Sequence, residues 1–126
     1  MKKTKMLKKN YEFKKVLTKG KYYSGNQIEA FIKKNNIKHQ NLLGIAIGVK
    51  IAKAVKRNKI KRLIRESYKE YEMKIKTSNT IIFLWKKKVP AEEANFTNIN
   101  KDMKNIFRKA NLFIEEKNEK NTYKAN

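Results

Sequence analysis

Between Lys53 and Arg65, seven of thirteen side chains are cationic (Lys53, Lys56, Arg57, Lys59, Lys61, Arg62 and Arg65) and none is acidic. Such a density of ammonium and guanidinium groups suits phosphate: lysine acts as a point charge, and arginine as a planar fork that takes two oxygens at once. Hydrolysis by the protein itself would need something else, namely clustered carboxylates or imidazoles that hold metal ions or move protons. The chain offers little of that kind. His39 is the single histidine and has no acidic neighbour in sequence, Glu92 and Glu93 are adjacent and would face opposite ways in a strand, and cysteine is absent. No metal-ligand spacing is present, so these residues favour polyanion binding over a self-sufficient nuclease.

For those cations to act together they must share a surface, and the spacing predicts a helix from about Lys53 to Lys76. At 100° per residue, Ile60, Leu63, Ile64, Ser67 and Tyr71 fall on one side, and Asn58, Lys61, Arg62, Arg65 and Lys69 fall on the other. Its C-terminal half is laced in the ordinary way, with Glu70–Lys74 and Glu72–Lys76 at i,i+4 spacing, while its N-terminal half has no acid before Glu66. Cations near a helix N-terminus oppose the helix dipole, at a cost of about 0.3–1 kcal/mol each when exposed at low salt. A solvated face would avoid that cost; a phosphate-binding face exploits the same positive potential together with the free N–H groups of the first turn.

The whole chain leans the same way. Its 126 residues carry a net charge of +22, with 20 Lys/Arg against Glu12 and Glu29 in residues 1–65, but 13 against 9 acids in residues 66–126. Lysine enrichment alone would raise the total without producing this asymmetry, and a polyanion partner relieves the self-repulsion. Nucleic acid is the expected partner. The longest nearly apolar run, Leu42 to Val49, is too short to span a bilayer, and no apolar segment follows the basic N-terminus, so the sequence reads as cytoplasmic and membrane-free.

Around the basic helix the patterning predicts one α+β domain over residues 1–116. Residues 1–6 are expected to be a flexible basic arm and residues 117–126 a disordered tail. A helix is expected from Asn10, as N-cap, to Lys19, stopped by Gly20, with Phe13, Val16 and Leu17 on one face. Strands are expected at Tyr22–Tyr23, at Gln27 to Lys33, at Leu42 to Val49 and at Thr80 to Trp85, the last ended by Pro90. A last helix runs from about Asn98 to Glu116, with Met103, Ile106, Phe107, Ala110 and Ile114 on one face. The result is a sheet of about four strands with helices mainly on one side. Phe31 shares a strand face with Glu29 and Lys33, where it is either a stacking platform for RNA bases or a core residue beneath the first helix.

The segment "GIAIGVKIAKAVKRNKIKRLIRE" (Gly44 to Glu66) resembles the signature of the bacterial ribonuclease P protein component, an Arg-Asn-Arg centre with Ala-Val before it and Ile-Lys-Arg after it. "LKKNYEFKKVL", "TIIFLWKK" and "IFRKA" resemble that family's first helix, last strand and terminal helix. The resemblance implies a ribosomal-protein-S5-domain-2-like fold with a left-handed βαβ crossover. It further implies the protein subunit of a ribonucleoprotein endoribonuclease, one that binds the catalytic RNA subunit and the 5′ leader of precursor tRNA so that the leader is removed. Chemistry would lie in the RNA, with magnesium bound mainly there, and no residue of the protein would be catalytic. Lys50, Lys53, Arg57, Asn58, Lys59, Lys61, Arg62 and Arg65 would contact the RNA subunit. Phe13, Leu17, Phe31 and Lys86 would line the leader cleft, and the free protein would be a monomer. Departures from the pattern are Lys59 for the second arginine, and Val49, Ala52, Leu42 and Leu17 where lysine, glycine, arginine and an aromatic are usual. The competing reading is a ribosomal or other structured-RNA binder without a role in tRNA maturation.

Overall fold

Alternation along Ile28, Ala30 and Ile32 puts three apolar side chains on one strand face, and all three are buried. The computed structural model describes residues 1–115; the tail expected from 117 onwards lies outside them. Eight main elements follow one another: β1 (Thr4–Met6), α1 (Asn10–Lys19), β2 (Lys21–Ser24), β3 (Ile28–Lys34), β4 (Asn41–Ala46), α2 (Ala54–Tyr71), β5 (Asn79–Trp85) and α3 (Phe96–Lys109). Short 3-10 turns at Glu72–Lys74 and Ala91–Glu93 complete the described chain. The strands form one sheet in the order β1-β4-β5-β3-β2. β4 runs parallel to both β1 and β5, with α2 as the crossover between β4 and β5, while β3 is antiparallel to β5 and β2.

The two sheet faces have separate covers. Ile28, Ala30, Ile32, Leu43, Ile81, Phe83 and Trp85 meet α2 through Ile60, Ile64 and Tyr68 and α3 through Ile99, Met103, Ile106 and Phe107. Burying a side chain such as Ile60 or Ile64 is worth about 1.5–3 kcal/mol, which holds α2 to the sheet despite its charge. Phe107 lies edge-on to Tyr68, Tyr71, Phe83 and Phe113, with ring centroids 6.0 to 6.3 Å away. The opposite face is smaller: Val16 of α1 and Leu7 bury Ile82, ringed by half-buried Phe13, Phe31, Leu42 and Leu84. Two helices therefore pack on one side, as expected, and α1 packs on the other.

The sheet has five strands, not about four, because part of the expected arm is β1. Thr4 is buried and its Oγ1 lies 2.7 Å from the Tyr68 hydroxyl, while the Lys3 N–H donates to the Glu72 carboxylate at 3.1 Å. Three residues are too few to show a period, so sequence patterning could not mark this strand. Burial pushes the Tyr68 phenol pKa up, opposed by its bonds to Thr4 and Asn41, so it stays neutral at pH 7. Tyr68→Phe should cost about 1 kcal/mol by leaving Thr4 unpaired. A urea midpoint unchanged from wild type would show that β1 is held by its ladder alone.

The helix ends also differ from expectation. α2 stops at Tyr71, because Glu72 turns inward to Lys3 and Ile75 leaves to bridge Phe113. The expected Glu70–Lys74 and Glu72–Lys76 lacing is replaced by tertiary bonds, Glu70 accepting from the Asn100 side chain on α3 at 3.3 Å. α3 ends at Lys109, short of Glu116, and Asn111 takes a left-handed conformation (φ 56°), which asparagine tolerates. Ile114 is consequently exposed rather than a continuation of the apolar face.

Candidate nucleic-acid interface

The basic face of α2 forms as its spacing predicts. Asn58, Lys59 and Arg62 are exposed, Lys61 and Arg65 half-exposed, and with Val55 these six line one shallow surface basin of about 520 Å³. Lys53 is the N-cap and contributes no side-chain cap, and the first turn contains no acid. Nothing in the helix itself therefore offsets the positive end of its dipole, which is available to an anion.

Arg57 is half-buried at the edge of this face, where its Nη1 donates to the Ala52 carbonyl at 2.6 Å. It thereby fixes the loop that enters α2, and one arm of its fork is committed to structure. Lys56 has an acidic partner that the helix sequence alone could not show: its Nζ lies 3.0 Å from Glu92 Oε1. A backbone hydrogen bond and then Lys56 hold the Glu92 carboxyl below its ordinary range. Lys50 stands apart from the basin, on the rim of an open cleft of about 770 Å³ that also involves Glu29, Val49, Leu84, Lys87 and Val89.

The expected leader-cleft residues lie on the α1 side of the sheet, in rows fixed by strand register. Gly44, Ile82, Phe31 and Tyr22 stand side by side across four strands, and Ala46, Leu84, Glu29 and Ser24 form the next row. Phe13 lies over Gly44 so closely that a Cβ there would come within 2.6 Å of the ring, so glycine is required for this approach. Phe31 is half-buried: one side packs into the cluster around Ile82 beneath α1, and the other meets the Tyr22 ring at 5.1 Å. Leu17 sits at the margin of α1, 36% exposed, and adds aliphatic surface where an aromatic would add a stacking face.

Lys86 does not project freely into the cleft. Its Nζ donates to Ser24 Oγ at 2.8 Å and to the Gly25 carbonyl at 3.1 Å, bracing the turn between β2 and β3. The same turn is gripped by Asp102 of α3, whose carboxylate accepts the backbone N–H groups of Asn26, Gln27 and Ile28 at 2.9, 2.6 and 3.1 Å. The sequence carries one signal for Asp102, which is that it interrupts the apolar stripe of Ile99, Met103 and Ile106 at helical spacing. A lone acid on a buried face needs donors, and the turn supplies three.

Among the described residues, no three histidine, cysteine or acidic side chains group closely enough to hold a metal ion. His39 is exposed in the loop before β4 with φ 63°, Glu92 is paired with Lys56, and the Glu93 carbonyl accepts from the Gln27 side chain. The donor set therefore does not fit a magnesium site of the carboxylate kind within this part of the chain. No helix is long and apolar enough to cross a membrane among the described residues.

An open α+β sheet with a parallel crossover, a cationic helix face and an aromatic-edged cleft on the opposite face defines a protein built to lie against a polyanion. Residues 1–111 match the sequence model of the Ribonuclease P family. The ribonuclease P protein component of Clostridium kluyveri is 36% identical over 110 residues, covering 85% of this chain and 95% of that protein. That of Clostridioides difficile is 34% identical over 112 residues, covering 88% and 96%. The solved RNase P protein of Staphylococcus aureus superposes with a TM-score of 0.73 at 31% identity, covering 86% of this chain and 97% of that one. The chain belongs to the ribonuclease P protein family, the protein part of a ribonucleoprotein endoribonuclease. Membership implies an RNA partner in the holoenzyme.

Proposed function

We propose that this chain binds the catalytic RNA of ribonuclease P through the α2 basin and holds the 5′ leader of precursor tRNA against the α1 side of the sheet, in the cytoplasm and as a free monomer before assembly. The observation that carries this reading is the basin itself: Asn58, Lys59, Lys61, Arg62 and Arg65 presented together by a helix whose other face is locked into the core. Lys53 and the unsatisfied N–H groups of the first turn extend it, and the free arm of Arg57 borders it. Lys50 serves the cleft rim rather than the basin.

Phe13, Leu17 and Phe31 give the leader an apolar surface, with Tyr22 as an added aromatic wall. Lys86 supports this surface through the Ser24–Gly25 turn, so its role is positional. No residue of the protein would hold the metal; magnesium would be bound mainly by the RNA and would supply Lewis acidity for phosphodiester hydrolysis there. The protein's part is to neutralise phosphate and position substrate.

Cleavage of precursor tRNA at low magnesium tests this, because the RNA subunit alone works poorly there. Stimulation that requires both the RNA subunit and this protein is the expected result. Cleavage by the protein alone would replace the reading with a self-sufficient nuclease, and RNA binding without stimulation would leave only a structured-RNA binder.

A further inference from the structure

Two lysines lie on the side of the sheet that carries the main core. Lys21 stands opposite Ile32 across the β2–β3 pair, and Lys34 is two residues beyond Ile32, so strand alternation aims both side chains toward the layer of α2 and α3. Both are nevertheless exposed. α3 ends at Lys109, and the chain turns at Asn111 (φ 56°) toward the Ile75–Phe113 bridge, which leaves this corner of the sheet open. The corner is a cavity of about 490 Å³ between the start of β2, the end of β3, residues 76–79 and residues 110–112. It lies beyond the C-terminal end of α2, away from the basin of residues 55–65, and on the opposite side of the sheet from α1.

Ile32 and Leu112 are buried at the floor of this cavity, and half-buried Tyr23 forms a wall, with the Lys21 Nζ 5.9 Å from the ring centroid. Lys21, Lys34 and Lys76 are exposed at the rim, none of them ion-paired among the described residues, and no acidic residue lines the cavity. The walls are preformed. The Asn35 N–H donates to the Ser78 carbonyl at 2.9 Å, the Asn79 side chain to the Thr77 carbonyl at 3.1 Å, and the Lys76 N–H to the Leu112 carbonyl at 2.7 Å. Three non-glycine residues of the described chain have positive φ, and two of them, Ser78 (φ 68°) and Asn111, line this cavity. Such backbone is costly for a residue with a Cβ and gathers at ligand sites, so its recurrence here singles the cavity out.

We infer that this cavity binds one nucleotide, its base against Tyr23 over the Ile32–Leu112 floor and its phosphates among Lys21, Lys34 and Lys76. Three ammonium groups with no acid between them call for a multiply charged anion, and lysines serve phosphate as point charges. Inorganic phosphate would leave the apolar floor and the aromatic wall without a function, whereas a base has a flat face for both. Two sources share this chemistry, a free nucleoside diphosphate and an unpaired nucleotide of an RNA. The cavity shares no residue with the α2 basin or the leader surface, so nucleotide binding there stands or falls without them.

The test follows amide NMR signals of the full-length protein as ADP or pyrophosphate is added, in about 0.15 M salt to screen diffuse attraction to the net charge. ADP should shift Thr77, Asn79 and Asn111 and bind there about tenfold more tightly than pyrophosphate, the increment of one stacked base. Lys34→Gln combined with Lys76→Gln should weaken ADP at these signals about tenfold, while Lys61→Gln in the basin leaves them unchanged. Tyr23→Leu should bring ADP down to the level of pyrophosphate. Tyr23 also touches the core, so if that variant unfolds the exposed lysine pair decides the question. ADP shifts confined to the basin, equal affinities for ADP and pyrophosphate, or an ADP affinity that the lysine pair does not lower would each overturn the proposal. Equilibrium dialysis of labelled ADP against holoenzyme then separates the sources. Binding that persists there and is lost in the lysine-pair variant assigns a free nucleotide; binding blocked by the RNA subunit, together with weaker assembly of that variant, assigns an unpaired nucleotide of the RNA.

Discussion

Replacing Asp102 with alanine should lower the unfolding free energy by about 3–5 kcal/mol, because three backbone donors, two of them buried, lose their acceptor at once. Such a loss is a large share of the stability of a domain this size. Asp102→Asn retains one oxygen but turns an amide N–H toward the same donors, so it should recover only part. Gly25 is bound into the same arrangement: a Cβ there would come within 2.6 Å of the Asp102 Cγ and 2.8 Å of the Ile28 carbonyl. Urea unfolding followed by circular dichroism measures the effect, and a cost below about 1 kcal/mol would mean that water replaces the carboxylate. The functional corollary is that the turn carries β2 and β3, and with them Tyr22 and Phe31.

The second large effect is on RNA affinity. Neutralising Lys61, Arg62 and Arg65 together should weaken binding to the RNA subunit roughly 100-fold near 0.1 M salt, at the level of charge-assisted phosphate contacts. If the wild-type face neutralises about six phosphates, log affinity should fall with log salt at a slope of roughly −4 to −5, and the triple variant should bring it to roughly −2. Fold stability should change by less than about 0.5 kcal/mol, since these side chains are exposed or half-exposed and lie away from the core. Equal slopes for the two proteins would return the stripe to an ordinary solvated face. Arg57 is left out of the set on purpose: its bond to the Ala52 carbonyl makes its removal a structural change as well as an electrostatic one.

The sequence was informative where one periodicity served one purpose. Ile60 and Ile64 repeat at helical spacing and are buried, and the intervening cations are on the outer face, so α2 and its basin were legible. Ile28, Ala30 and Ile32 did the same for β3. Legibility failed where a residue's partner is remote in the chain. Thr4 needs Tyr68, Lys56 needs Glu92, Lys86 needs Ser24, and Asp102 needs a turn more than 70 residues earlier. Thr4, Lys56 and Lys86 look, in sequence, like solvated polar side chains, and Asp102 alone is marked by its place within an apolar stripe. The resemblance in Gly44 to Glu66 supplied the family, but it could not show that Lys86 braces a turn or that Arg57 has one arm engaged.

The shape of the sheet bears on how the subunit survives before its RNA is made. Its outer strands are its shortest, β1 with three residues and β2 with four, beside inner strands of six and seven. Short borders leave few unpaired backbone groups on which a second chain could add a strand. Together with a charge of +22, which repels like copies, these short borders oppose self-association of the free protein. The border of the fold thus favours colloidal persistence, and on the function proposed above the subunit would stay dispersed until RNA neutralises its charge.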